Sequence, residues 1–307
     1  MVSASALTPE RVLRRLEWRV IRRLDGRLQG DYRTLFRGTG IDVANLREYQ
    51  VTDDLRHIDW NVTARMDTPY VREYLEDREI TAWLLLDRSP SMGFGPIQRR
   101  KHVVLTEVAA TIAQLLARGG NRIGAVLFDT QVEELIPPGH GRNQVLRMLT
   151  RLMQAPTDLS DDAGAGRGPG RTTDLSVPLR AALGVIRRRS LIVIISDFIS
   201  EPGWERPLAL LARRHEVMAI QVVDRREFEL PAAGMIYVED AETGEQIFVD
   251  TDDSAFQQRL RAAAHERQAA LAEAVRGAGT DLFTVATDED LVRAMIRIAE
   301  LRKRRRR

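Results

Sequence analysis

The chain has 307 residues, with 46 basic and 44 acidic side chains, a formal net charge of +2 and 44% hydrophobic residues. A chain of this length can bury a sizeable core without cross-links, and at about 150 residues per domain it makes one large domain or two smaller ones. It has no cysteine, which excludes disulfides and thiolate metal sites, and no apolar run of about eighteen residues, which excludes an apolar helical span.

Near the N-terminus no continuous apolar run of the kind found in a secretion signal is present, so a cytoplasmic location is expected. Thr8 followed by Pro9 reads as a helix start, and Val12, Leu16 and Val20 share one face, predicting a helix over 9–25. Residues 31–79 are polar, rich in Arg and Asp, and read as a small β-rich or irregular subdomain. The pattern changes at Ile80. The run ITAWLLLD predicts a buried parallel strand ending in Asp87. A helix follows from Ile97 to Ala117, closed by Gly119 and Gly120. RIGAVLF, residues 122–128, is a second strand. Residues 132–136 suit an edge strand ending before Pro137 and Pro138, and 143–153 a helix. Residues 155–171 read as a Gly-rich loop. Beyond it come a helix at 175–188, the strand LIVIISD at 191–197, a helix near 204–214 and a strand at 217–223. A hairpin turning at Thr243-Gly244 is expected within 234–250. The last three elements are a helix at 254–277, a strand at 282–285 and a helix at 288–303.

Strands alternating with helices predict an α/β fold with a doubly wound, mostly parallel central sheet flanked by helices. Ligands of such sheets bind beyond the carboxyl ends of the strands. Three of those ends carry oxygen donors here. Asp87, Ser89 and Ser91 follow the first strand as D-x-S-x-S, Thr172-Thr173-Asp174 precede a helix, and Ser196-Asp197 end the strand LIVII. Oxygen-only donors suit a hard cation, Mg²⁺ above all, with Mn²⁺ or Ca²⁺ as alternatives. Where a single carboxylate touches the ion, positive charge remains to attract an external carboxylate. Asp174 reads as the cap of its helix, and Asp129 as a turn residue.

This constellation resembles the metal-ion-dependent adhesion site of von Willebrand factor A domains. The resemblance implies Asp87, Ser89, Ser91, Thr173 and Asp197 as the metal-site residues. Phe198 departs from it, standing where many relatives have glycine. A second resemblance precedes the domain. Gly38-Thr39-Gly40-Ile41-Asp42, Leu46-Arg47-Glu48-Tyr49, Asp53-Asp54-Leu55-Arg56, Ile58-Asp59-Trp60 and Thr63-Ala64-Arg65 follow in order. They are similar to the signature of the bacterial domain-of-unknown-function 58 family, with Thr52 and Thr63 in place of the usual glycine and serine. In chemical terms, Arg47, Arg56 and Arg65 beside Asp53, Asp54 and Asp59 read as an ion-pair network, Trp60 as a core anchor and Tyr49 as a signature residue of open role.

The expected organisation is therefore a signature-bearing subdomain with an N-terminal helix (1–79), a von Willebrand factor A-like domain (80–300) and a basic tail (301–307). The implied function is metal-dependent protein binding without catalysis, with a MoxR-type AAA+ ATPase as partner in a chaperone-like or assembly role. A metal-dependent hydrolase or phosphotransferase would use the same oxygen donors, but the phosphate-binding loop G-x-x-x-x-G-K-[ST] and the D-x-D pair of aspartyl-phosphate enzymes are missing. Arg302-Lys303-Arg304-Arg305-Arg306-Arg307 offers a third reading, contact with nucleic acid or anionic lipid.

Overall fold

The computed structural model of the chain describes residues 8–24, 45–50, 55, 58, 60–66, 68–73, 79–96, 99–154, 173–239 and 246–305. Two units are distinguished, Met1–Phe36 with Thr81–Arg307, and Arg37–Ile80. The Gly-rich segment 155–171, Ile97, Thr172 and the Thr243-Gly244 turn lie outside the described residues.

In the smaller unit, β1 (Asn45–Glu48) and β2 (Tyr70–Glu73) pair antiparallel, with Arg47 opposite Val71. Between them, α2 (Trp60–Met66) is tied to β2 by the Tyr70 N–H, which donates to Thr63 Oγ1 at 3.0 Å. The Tyr49 N–H donates to the Pro69 carbonyl. Trp60, expected as a core anchor, is instead 69% exposed at the start of α2. A short helix offers only one face to a core, and Trp60 stands off that face. Asp53, Asp54, Arg56 and Asp59 lie outside the described residues, and so does the ion-pair network expected of them.

The larger unit begins with α1 (Pro9–Leu16), which runs on through a π turn at Glu17–Ile21 as far as residue 24. The Thr8 side chain caps it by accepting the Arg11 N–H, as the sequence led one to expect. Its buried face, Leu13, Leu16, Val20 and Ile21, packs on α3 (Lys101–Arg118) and α4 (Gly141–Met153). The N-terminal helix thus belongs to the same compact unit as the large sheet.

That sheet has six strands in the order β10-β7-β6-β3-β4-β5. They are β3 (Thr81–Asp87), β4 (Arg122–Phe128), β5 (Val132–Gly139), β6 (Leu191–Ser196), β7 (Glu216–Val223) and β10 (Asp281–Ala286). All pairs are parallel except β4 with β5. β3 and β6 are central and apolar because helices cover both faces. Trp83 and Leu85 point to one face and pack with Leu179, Leu208 and Leu271. These come from α5 (Ser176–Val185), α6 (Glu205–Arg214) and α7 (Ser254–Gly277). On the sheet α3 packs against β3, β4, β6 and β7. Gly124, paired with Trp83, is required by that ring: a Cβ at this position would lie 2.9 Å from Trp83 Cε3.

Two bounds differ instructively from the sequence reading. β5 runs on through Pro137 and Pro138 to Gly139, because a sheet edge tolerates residues without an N–H. Gln144 of α4 satisfies the Pro137 carbonyl at 2.8 Å. At the other end, α8 (Leu291–Arg305) includes most of the basic tail. Arg302 is only 5% exposed and pairs with Glu216, so it is no free charge for an anionic surface. The remaining hairpin, β8 (Met235–Glu239) with β9 (Gln246–Asp250), forms a separate two-stranded sheet.

Candidate metal centre

The carboxyl ends of β3 and β6 lie side by side, so their polar residues leave the sheet together. Asp87, Ser89, Ser91, Thr173 and Asp197 are all at most 3% exposed. Asp87 is the last residue of β3. Its Oδ1 accepts the Ser89 N–H at 2.8 Å, the Asx-type turn that D-x-S favours. Arg88 points the other way, donating to Glu133 at 2.8 Å and to the Gln154 carbonyl at 2.5 Å. Pro90 then opens a 3-10 turn over Pro90–Gly93, pinned by Met92, which is 1% exposed. The Ser89 and Ser91 hydroxyls are thereby held 3.0 Å apart.

The second edge of the site comes from β6. Ser196 Oγ donates to Asp87 Oδ2 at 2.5 Å and accepts the Phe198 N–H at 2.8 Å. Asp197 Oδ1 accepts the Ile199 N–H at 3.0 Å. Phe198 adopts φ +60, the left-handed region that explains why glycine suits this position. Its ring is buried 5.9 Å from that of Trp204, which offsets the backbone cost. Thr173 belongs to a third loop, fastened to the segment after β6. The Glu201 N–H donates to the Thr173 carbonyl, and the Leu175 N–H to Ser200 Oγ. Asp174 receives the N–H and hydroxyl of Ser176 at the start of α5, the capping role expected of it.

Two participants were not anticipated. Lys101, the first residue of α3, has 0% exposure, and its Nζ lies 2.6 Å from Asp197 Oδ2 and 2.5 Å from Glu227 Oε1. Glu227 ends a 3-10 turn (Arg225–Glu227) and accepts the Asp224 N–H with its other oxygen. A signal for Lys101 exists only once its helix is known to start there and not at the expected Ile97. A lysine in the first turn of a helix opposes the helix dipole, so another interaction has to hold it there. Glu227 lies in a loop and gave no such signal.

The electrostatics separate the two carboxylates. Burial, reinforced by the neighbouring charge of Asp197, pushes Asp87 up to about 7, against the hydrogen bonds from Ser196 and Ser89. Burial would lower Lys101, but the charges of Asp197 and Glu227 outweigh it and hold the ammonium above its ordinary value. Burial raises Glu227, opposed by Lys101.

Among the described residues no group of three or more His, Cys, Asp or Glu side chains is arranged to hold a metal ion. The donor set here is of a different kind, with hydroxyls around one carboxylate. A buried Asp87 whose bonds, among the described residues, come only from neutral donors, beside a second carboxylate, is a chemical match for a hard divalent cation. Asp87, Ser89, Ser91 and Thr173 are the residues that would hold it, with Asp197 beside them.

A six-stranded, largely parallel sheet with one antiparallel edge strand and a D-x-S-x-S turn at its centre defines a von Willebrand factor A-like domain. The chain belongs to the family described as "Protein of unknown function DUF58", which it matches over residues 45–270. It is 38% identical over 295 residues to uncharacterized proteins of Mycobacterium tuberculosis and Mycobacterium bovis, covering 95% of this chain and 89% of theirs. It is similar to the solved structure of the conserved hypothetical protein BatB from Bacteroides thetaiotaomicron (TM-score 0.43, 14% identity, 74% of this chain and 100% of that one). A von Willebrand factor type A structure from Catenulispora acidiphila is also similar (TM-score 0.36, 11% identity, 76% and 43%).

Proposed function

We propose that this protein is a metal-dependent interaction module that captures an acidic segment of a partner protein. One observation carries the reading. A cavity of about 880 Å³ opens beside Asp87 and Ser89, and Arg15, Arg19, Arg23, Arg88, Arg99 and Arg100 line it. Besides Asp87, two acids line its wall and both are engaged, Glu107 with Arg99 at 3.1 Å and Asp290 with the Arg293 N–H. Arg15, Arg19, Arg23 and Arg100 have no ion-pair partner among the described residues. Guanidinium groups recognise carboxylates in a planar, two-pronged geometry, so this cavity suits glutamate- or aspartate-rich chain.

In this reading Asp87, Ser89, Ser91 and Thr173 hold Mg²⁺, with Asp197 beside them, and Mn²⁺ or Ca²⁺ as substitutes. When bound, the ion supplies positive charge that a partner's carboxylate completes. The arginines guide the rest of the segment and raise the association rate. Binding, not turnover, is the activity. The family resemblance supports a MoxR-type AAA+ ATPase as the partner, and the ATP it consumes supports a cytoplasmic setting. No helix among the described residues is long and apolar enough to cross a membrane.

The test is co-elution of the purified chain with a purified MoxR-type ATPase. Since such an ATPase needs Mg²⁺ itself, Asp87→Ala, not chelation, is the decisive arm. The reading predicts a complex with the native chain that is lost with Asp87→Ala. Equal complex formation by both chains contradicts it.

A further inference from the structure

We propose that Lys101 is the built-in counter-cation of this site, pairing with Asp197 and Glu227 so that Asp87 alone is left as an anionic ligand. The inference rests on the metal reading above and deepens it. It explains how a site flanked by two buried carboxylates keeps an appetite for a third from outside.

The geometry divides the acids cleanly. Both oxygens of Asp197 are committed, Oδ1 to the Ile199 N–H at 3.0 Å and Oδ2 to Lys101 Nζ at 2.6 Å. Both oxygens of Glu227 are committed as well, to Lys101 Nζ and the Asp224 N–H. Among the described residues, Asp87 receives only neutral donors, the Ser89 N–H and the Ser196 hydroxyl. Lys101 cannot drift between these groups. It begins α3, its N–H donates to the Phe94 carbonyl at 3.0 Å, and its ammonium lies 5.7 Å from the centre of the Phe94 ring.

The consequence is a matter of charge. A divalent ion beside one carboxylate retains one positive charge, and an incoming carboxylate cancels it. If Asp197 were released from Lys101, its charge would act on the ion as well. The ion would then be held more tightly, and its need for an external carboxylate would vanish. Carboxylate count sets affinity in oxygen-ligand sites, so this effect is large. A lysine present only for packing would change neither property.

The experiment is titration with Mn²⁺, read by the loss of its free-ion electron paramagnetic resonance signal. It compares the native chain with Lys101→Met/Glu227→Gln, which frees Asp197, and with Lys101→Met/Asp197→Asn/Glu227→Gln, which removes the whole charged network. The double variant is expected to bind Mn²⁺ about tenfold or more tightly than the native chain, and the triple variant to return to native affinity. Equal affinity of the double variant and the native chain overturns this proposal and leaves the metal reading intact. A native chain that binds no Mn²⁺ overturns the metal reading itself. Should the double variant fail to fold, the triple variant still decides, because an affinity more than tenfold from native overturns the proposal.

Discussion

The two strand ends that build the site solve the problem of a buried carboxylate in opposite ways. After β3, the chain turns through ordinary backbone conformations, and among the described residues Asp87 is bonded only by neutral groups. After β6, the chain passes through a left-handed phenylalanine, and Asp197 is bonded by a buried ammonium. The first half is thus left short of positive charge, and the second is closed by an internal ion pair. A site with both acids free would saturate a divalent ion by itself. A site with both acids paired would have no use for one. The difference between the halves leaves room for an ion and for an acidic partner.

That contrast can be broken most forcefully at Lys101. Lys101→Met leaves Asp197 and Glu227 without a cation in a buried setting and is expected to cost about 3–5 kcal/mol in urea denaturation. Adding Glu227→Gln recovers part of the loss, since one of the two stranded charges is gone. Asp87→Asn is the opposite case. It removes a charge that has no cationic partner among the described residues, so the metal-free protein is expected to lose little stability at neutral pH or to gain some.

A pH series sharpens the same point. The raised pKa of Asp87 means that the folded state holds a proton the unfolded state releases. Its stabilising contribution is complete below the ordinary carboxylate range and is lost as pH rises to about 7. The metal-free chain should therefore lose up to a few kcal/mol on going from pH 4 to pH 7, with Asp87→Asn flattening that part of the profile. A divalent ion selects the ionised carboxylate, so the ion should stabilise the fold more at pH 8 than at pH 5. A native profile that matches that of Asp87→Asn would show that Asp87 is not raised.

The backbone difference predicts a smaller effect. Phe198→Gly relieves about 1–2 kcal/mol of left-handed strain but gives up the buried ring against Trp204, for a net loss of roughly 1–3 kcal/mol. A gain in stability on denaturation would show that the strain outweighs the packing. The smallest effect on stability belongs to the cavity rim. Arg15, Arg19 and Arg23 are exposed, so changing all three to alanine should alter folding by about 0.5 kcal/mol or less. The same triple variant should weaken capture of a glutamate-rich peptide by about tenfold, since each guanidinium–carboxylate pair is charge-assisted.

Much of this architecture was legible because the sequence obeys local rules where the sheet is built. ITAWLLLD reads as a buried parallel strand and LIVIISD as a strand, and they supply β3 and β6 at the centre of the sheet. The helix at 254–277 and the caps at Thr8 and Asp174 followed from spacing and side-chain chemistry. Legibility failed where tertiary context overrides local preference. The prolines of β5 look like a strand end until the strand is known to lie at an edge. Trp60 looks like a core residue until its helix is seen to be about two turns long with an open side. Within the site, Asp87, Ser89 and Ser91 are close in sequence and form a motif. Lys101, Asp197 and Glu227 meet only because the ends of two strands, β6 and β7, converge on a helix N-terminus, and no local pattern encodes that meeting.

Divalent-ion binding by the native chain tests the central claim most directly. Thermal unfolding of the native chain and of Asp87→Ala, followed with and without millimolar Mg²⁺ or Mn²⁺, measures it. The account predicts a higher melting temperature for the native chain with the ion, equivalent to about 2.7 kcal/mol at one hundred times the dissociation constant, and no shift for Asp87→Ala. Superimposable native curves with and without millimolar ion, or equal shifts in both chains, would contradict it.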